Sequence, residues 1–477
     1  MSRVAVVGAG PNGLAAGCVA ARAGLDVTVY EANTTIGGAA RTIPLDGSEA
    51  VFDVGSAVHP MALLSPAFAD LKVRERVDFL VPQMSYAHVL DQRTAYAWQD
   101  LDRTVEHLDS GSNLPLGQGA VFAGLLGPLV QRINQLGDTL LNPLLRLPAH
   151  PGTLTAFGAA TLGGMGLQQA LSRRYPKAAA LLAGCAAHVA GGSRGPAGAG
   201  AGLFLAAAAH AGGWPIPRGG SQAISQALAT ELRAHGGRIE TGRRIEELGE
   251  MDAQTILLDT SPETAARLGR GRIPHALAQR LANPRRSPGS CVVHYVLREP
   301  VPWRDPLLAQ AGTIHLAGTA RQVLRTERES RRRPADHPFV LVSQPSQFDP
   351  TRAPGGQQVL WAYCHVPLGS DANMAPRITA QLEAAAPGFR DVVLEQHVRT
   401  ARGLQRQNPA LVGGDLSGGT MDLLGSIRRP RVSTNPWWLQ SKGLYLVSSA
   451  TPPGPSVHGM GGYLGAKAML SHEFGIR

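Results

Sequence analysis

The strongest constraint on this chain is one turn, Gly8-Ala9-Gly10-Pro11-Asn12-Gly13. It joins the β-branched run Arg3 to Val7 to a stretch of small residues from Gly13 to Ala23. A glycine triplet alone is weak evidence; a strand before it and a helix after it make it specific. Gly8 permits the tight turn, Gly10 lets backbone approach a pyrophosphate, and Gly13 lets the helix lie close to the strand. The helix N-terminus then offers free N–H groups and a favourable dipole to an anion. Leu25 to Glu31 reads as the second strand, with Glu31 18 residues beyond Gly13. An acid there suits ribose hydroxyls and disfavours a 2′-phosphate. The N-terminal apolar run is not read as a signal peptide, because Pro11-Asn12 interrupts it and cleavage near Ala23 would destroy the β-α-β unit.

Past Glu31 comes a second glycine pair, Gly37-Gly38-Ala39-Ala40-Arg41. A planar guanidinium suits bidentate phosphate contact, so Arg41 is expected to reach the same pyrophosphate. This G-G-x-x-R extension resembles the glutathione-reductase-like FAD family, in the branch of amine oxidases and phytoene desaturases. Further stretches resemble bacterial phytoene-desaturase-like FAD oxidoreductases: Phe52-Asp53-Val54-Gly55-Ser56, Gly213-Trp214-Pro215, Phe348-Asp349-Pro350-Thr351-Arg352, Trp361-Ala362-Tyr363-Cys364-His365 and Val457-His458-Gly459-Met460.

The resemblance implies an α/β fold: a Rossmann-type FAD-binding domain with an inserted α+β substrate domain. The FAD domain is expected to be discontinuous, over 1–75, 213–275 and 430–477, with the substrate domain at 76–212 and 276–429. The cofactor implied is FAD, held by Gly8, Gly10, Pro11, Asn12, Gly13, Glu31, Ala32, Gly38 and Arg41. Ile245 is expected near the adenine; Ser449, His458, Gly459 and Met460 belong to the closing flavin motif, whose helix N-terminus faces the pyrimidine edge. The function implied is dehydrogenation or desaturation of a lipophilic small molecule, with electrons leaving to a quinone or oxygen. No second strand-glycine-helix unit marks a nicotinamide site. Alternatives are a flavin amine oxidase, a redox-neutral flavin isomerase and a non-catalytic flavin-binding protein. Amine oxidases carry a lysine near the flavin in a strand resembling Gly289 to Tyr295; here that strand has His294 and no lysine.

Flavin chemistry asks little of side chains. His458 and His59 are the candidates for proton transfer. Trp361, Tyr363 and His365 fall on one face of the strand Gln358 to Val366, and with His294 are candidates for the substrate cavity, core packing being the alternative.

Net charge is +10, yet only four of 45 basic residues are lysine and no nucleic-acid module is present. The charge permits contact with an anionic membrane surface. The basic run Arg321 to Arg333 reads as a solvated face. Cys18, Cys185, Cys291 and Cys364 show neither metal nor disulfide spacing, which fits a reducing, cytoplasmic setting and argues against a redox-active thiol pair beside a flavin. No metal site is expected. Residues 114–211 read as helices rich in Ala and Gly. Gly195 to Trp214, free of Asp, Glu, Lys and Arg, is too weakly apolar for a span and reads as a buried helix. A helix from Ser221, with Ser221 as N-cap, is expected to stop at Gly236-Gly237. Strands are expected at Arg238 to Ile245, Thr255 to Leu258, Cys291 to Leu297 and Gly443 to Val447, and a final helix from Gly459.

Overall fold

The computed structural model describes residues 2–44, 49–91, 93–110 and 116–476. The turn and its flanks form as expected. Strand β1 (Arg3–Val7) leads into helix α1 (Pro11–Arg22), and strand β2 (Asp26–Tyr30) returns parallel to β1. Gly8 has φ +102°, a conformation only glycine adopts without strain. A Cβ on Gly13 would collide with the Gly8 carbonyl, and one on Gly462 with the carbonyl of Asn12. These absent side chains bring α1 against the strand on one side and against the terminal helix Met460–Phe474 on the other.

β1 and β2 are the centre of a six-stranded sheet. Its order is Trp438–Ser441, Leu444–Leu446, Thr255–Leu258, β1, β2, Arg238–Glu240. Five strands are parallel and the edge strand Trp438–Ser441 is antiparallel. Strands β1 and β2 thus each take their other neighbour from a chain segment more than 200 residues away. The expected strand to Ile245 ends at Glu240, because the chain turns away at Gly242 with φ +71°.

A second sheet has seven strands, ordered Val393–Arg399, Gly289–Leu297, Gln358–Val366, Val340–Ser343, Ala311–Leu316, Met84–Leu90, Arg93–Trp98. All pairs are antiparallel except Ala311–Leu316 with Met84–Leu90. Two of the seven were legible as strands. Cys291 and Cys364 lie directly opposite in this sheet as free, buried thiols, and burial pushes both up. They pack in an apolar core and do not line the cavity described below.

Helices from Gln118 to Ala211 form the third layer. The expected start of this region, at Leu114, lies outside the described residues. The helix Pro196–Ala211 is largely buried, as expected, and no described helix is long and apolar enough to cross a membrane. The basic run from Arg321 is not a wholly solvated face. Helix Ala320–Glu329 buries Val323, Leu324 and Glu327, and Glu327 pairs with His365 at 2.9 Å.

A buried charge cluster joins segments of the two sheets' neighbourhoods. Arg352 bonds Asp53 at 3.0 Å and Asp349 at 3.1 Å, all three buried. Burial alone would raise the Asp53 carboxyl, but Arg352 and donors from Ser221 and Thr42 hold it below its ordinary value. Ser221 stands at the N-cap position of the helix Gln222–Ala234, as expected, but its side chain makes no capping bond. Its hydroxyl turns inward to the Ser56 carbonyl and to His59 Nε2, 2.7 Å away.

Candidate dinucleotide and substrate cavity

The carboxyl ends of β1, β2 and Thr255–Leu258 open onto one cavity of about 950 Å³. Ligands of open α/β sheets bind at this edge, where connections diverge on either side of a strand. The cavity runs from Gly8, Gly10, Pro11 and Asn12, past Glu31, Ala32 and Gly38, to the helical layer.

The glycine end is shaped by backbone. Helix α1 starts at Gly10-Pro11 with no side-chain cap of its own. A Cβ on Gly10 would stand 2.6 Å from the Asp259 carboxylate, and one on Gly38 3.2 Å from the Gly10 Cα. Glu31 is fixed by three donors: Ala9 N at 3.0 Å to one oxygen, and Asn33 N at 2.8 Å and Nδ2 at 2.7 Å to the other. Its Oε2, with one donor, keeps acceptor capacity for a ribose hydroxyl. Ile245 and Ser449 line the same cavity, and so does His458. These residues fit a dinucleotide: a small-residue cradle for phosphates, an acid for the ribose, and an apolar residue beyond it.

Four expected contacts lie behind the wall. Gly13 is covered by Asp259, whose Oδ2 accepts its N–H at 2.8 Å. Arg41 does not reach into the cavity; its Nε donates to the Gly38 carbonyl at 3.0 Å and its Nη2 to the Gln407 carbonyl at 3.1 Å. A buried guanidinium that finds carbonyls this close is held by them, so Arg41 braces the second glycine loop. Gly459, with φ +68°, and Met460 shape the turn into the terminal helix and are not in the wall.

The proposed proton carriers are structural in their bonding. His458 Nδ1 accepts the Met460 N–H at 3.0 Å, and burial pushes the ring down to about 4. His59 is absent from the wall, bonded to Ser221, and pushed by burial to about 4. None of Trp361, Tyr363, His365 and His294 lines the cavity. Trp361 and Tyr363 pack in the core with ring centroids 5.0 Å apart and planes tilted by 57°, as the packing alternative had it. His365 is taken by Glu327, and His294 Nε2 donates to the Asp53 carbonyl at 3.1 Å, with its ring edge-on to Phe52.

The wall opposite the glycines is instead helical. Leu140, Leu141, Leu144, Leu154, Phe157, Leu162, Phe204 and Leu205 line it. Leu144, Leu154 and Leu162 are also exposed, Leu162 by 69%, so the apolar lining continues to the surface. His188 joins this wall, its Nε2 3.1 Å from His315 Nε2, and burial pushes it to about 3, so it is neutral. Sequence periodicity did not single these residues out, because Ala and Gly occupy so much of the helices that no apolar stripe stands apart. Among the described residues no cluster of His, Cys, Asp or Glu is arranged to hold a metal ion.

Residues 6–70 match the NAD(P)-binding Rossmann-like domain family. Over 96% of its length the chain is 24% identical to pyridine nucleotide-disulfide oxidoreductase domain-containing protein 2 of Rattus norvegicus, covering 91% of that protein. It is 27% identical to an uncharacterized Mycobacterium tuberculosis protein over 54% of this chain and 55% of the other. Among solved structures, cyclohexylamine oxidase from Brevibacterium oxydans superimposes with TM-score 0.57 at 14% identity, covering 99% of both chains. An oxidoreductase from Methanosarcina mazei gives TM-score 0.56 at 16% identity, covering 98% of this chain and 100% of the other. The chain therefore shares its fold with these two solved structures, and residues 6–70 form its Rossmann-like NAD(P)-binding domain.

Proposed function

We propose that this chain is an FAD-dependent oxidoreductase that dehydrogenates a lipophilic small molecule, in the manner of phytoene-desaturase-like enzymes. The observation that carries the reading is the continuity of one cavity. A glycine cradle and Glu31 stand at one end, and a leucine and phenylalanine wall that reaches the surface stands at the other.

FAD, when bound, supplies the hydride acceptor. Gly8, Gly10, Pro11, Asn12 and Gly38 would hold its phosphates, Glu31 its ribose, Ile245 its adenine end, and Ser449 and His458 the far end. The chain's own work is to bind and orient. The apolar helices take up a substrate without polar handles and exclude water, and neutral His188 and His458 leave that region uncharged. The exposed leucines at the mouth, with Arg146 beside them in sequence, suit delivery from an anionic membrane surface. A quinone or oxygen would serve as the electron acceptor.

The test is anaerobic mixing of the FAD-loaded protein with a long-chain isoprenoid polyene or with primary alkylamines, following flavin absorbance. Bleaching by the polyene and recovery on adding a quinone support the reading. Bleaching by amines alone assigns an amine oxidase. Conversion without a consumed acceptor assigns an isomerase. A dithionite-reduced flavin that no acceptor reoxidises assigns a non-catalytic binder.

A further inference from the structure

Asp259 follows the strand Thr255–Leu258 and was not singled out by any motif. Its backbone N–H donates to the Val7 carbonyl at 2.8 Å, so the sheet itself fixes its place beside the glycine turn. Its Oδ2 accepts the Gly13 N–H at 2.8 Å, and it lines the cavity floor. The carboxyl thus sits at the N-terminus of α1, on the phosphate cradle.

The charges there do not balance if it is ionised. Glu31 already contributes one carboxylate. A dinucleotide diphosphate brings two more negative charges. Each arginine of the cavity wall already stands beside a carboxylate: Arg243 beside Glu240, Arg267 and, at 3.9 Å, Arg244 beside Glu246, and Arg286 between Glu263 and Asp415. Arg41 is held by two carbonyls. Like charges in one site push one proton affinity up. A neutral carboxyl resolves the conflict, because it accepts at one oxygen and donates at the other.

We propose that Asp259 binds the diphosphate as a neutral acid, accepting the Gly13 N–H at one oxygen and donating its own proton to a phosphate oxygen from the other. The inference rests on the FAD reading above. Binding then takes up a proton wherever free Asp259 is ionised. Burial is the larger cause and Glu31 the second in raising Asp259 to about 7; the Gly13 and Gly10 N–H groups act the other way and do not offset them. From β2 the group facing it is Glu31; the glycine turn and α1 present backbone donors, and the adjoining Thr260 and Ser261 carry no ionisable group.

The experiment is calorimetric titration of the full chain, stripped of nucleotide, with FAD at about pH 5.5 and about pH 8.5, in two buffers of different ionisation enthalpy. With only the neutral form competent, affinity is expected to be about 30-fold weaker at the higher pH. Proton uptake there should approach one per FAD. Asp259→Asn, which accepts and donates at the same positions, should bind with no proton uptake and an affinity independent of pH. Asp259→Ala should bind weakly at both. If the variants fail to fold, as melting curves show, the two-buffer measurement on the unaltered chain still decides. Binding without proton uptake, or an Asp259→Asn variant with the original pH slope, overturns this inference alone. No binding of FAD at either pH overturns the FAD reading with it.

Discussion

The glycines at the two ends of the cavity differ in how uniformly they are required. At the nucleotide end, glycines are required by contact: a Cβ on Gly8, Gly13 or Gly462 would run into backbone. In the helical layer they divide: a Cβ on Gly198 or Gly202 would also run into backbone, whereas Gly124 and Gly166 have open space where a side chain would go. The first region is built from backbone approach, which fixes residue identity position by position. The second combines a few such contacts with apolar area, which tolerates exchange and constrains only shape and polarity.

The largest break in that comparison is expected at the α1 contact with the terminal helix. Gly462→Val should abolish retention of FAD and most of the soluble protein, read as absorbance per mole of chain and as yield. Retained flavin would mean the two helices do not need to touch.

Next comes Arg352→Met, at the junction of both regions. Leaving Asp53 and Asp349 buried without their partner should cost about 3–5 kcal/mol in denaturant unfolding. A loss below about 1 kcal/mol would show the cluster is not buried as described.

The histidines sharpen the contrast through pH. His59, His88, His210, His294 and His458 are each pushed by burial from 6.5 to about 4, and His188 to about 3. A histidine neutral in the fold must charge in acid, and the unfolded chain does so first. Each therefore destabilises the fold as pH drops below about 6.5, until it titrates in the fold near 4. Tm should fall steadily through that window. His315, pushed well below 6.5 by burial and by His188 and His88, sits among these rings. His315→Gln should flatten the fall, whereas an unchanged slope would place the acid sensitivity elsewhere. Asp53 acts separately: its lowered carboxyl stabilises the fold above about 3.8 and loses that contribution only at lower pH.

The smallest expected effect is favourable. Gly166→Ala and Gly124→Ala, in helix interiors with nothing in reach of the new methyl, should each stabilise by about 0.5–1 kcal/mol and leave FAD retention unchanged. Destabilisation would show close packing at these two positions.

Legibility followed the same division. The β1 turn, α1, β2 and Glu31 were readable because their chemistry demands particular residues at fixed spacing. The strands Met84–Leu90, Arg93–Trp98, Ala311–Leu316, Val340–Ser343 and Val393–Arg399 were not. Most are buried on both faces or carry histidine and alanine, so period-two alternation is blurred. Asp259 did leave a trace, as the first residue past a parallel strand at the ligand edge, but reading it required knowing that this strand lies next to β1. Arg41 was misdirected by its spacing. The position behind Gly38 was foreseeable, but the Gln407 carbonyl that holds its guanidinium comes from 366 residues away.

The most direct test of the account is the visible spectrum of the purified chain, with its cofactor released by acid and identified. A flavin spectrum and free FAD in the supernatant are the expected result. A colourless protein that takes up no FAD on reconstitution would contradict the assignment of the cavity, and with it the proposed chemistry.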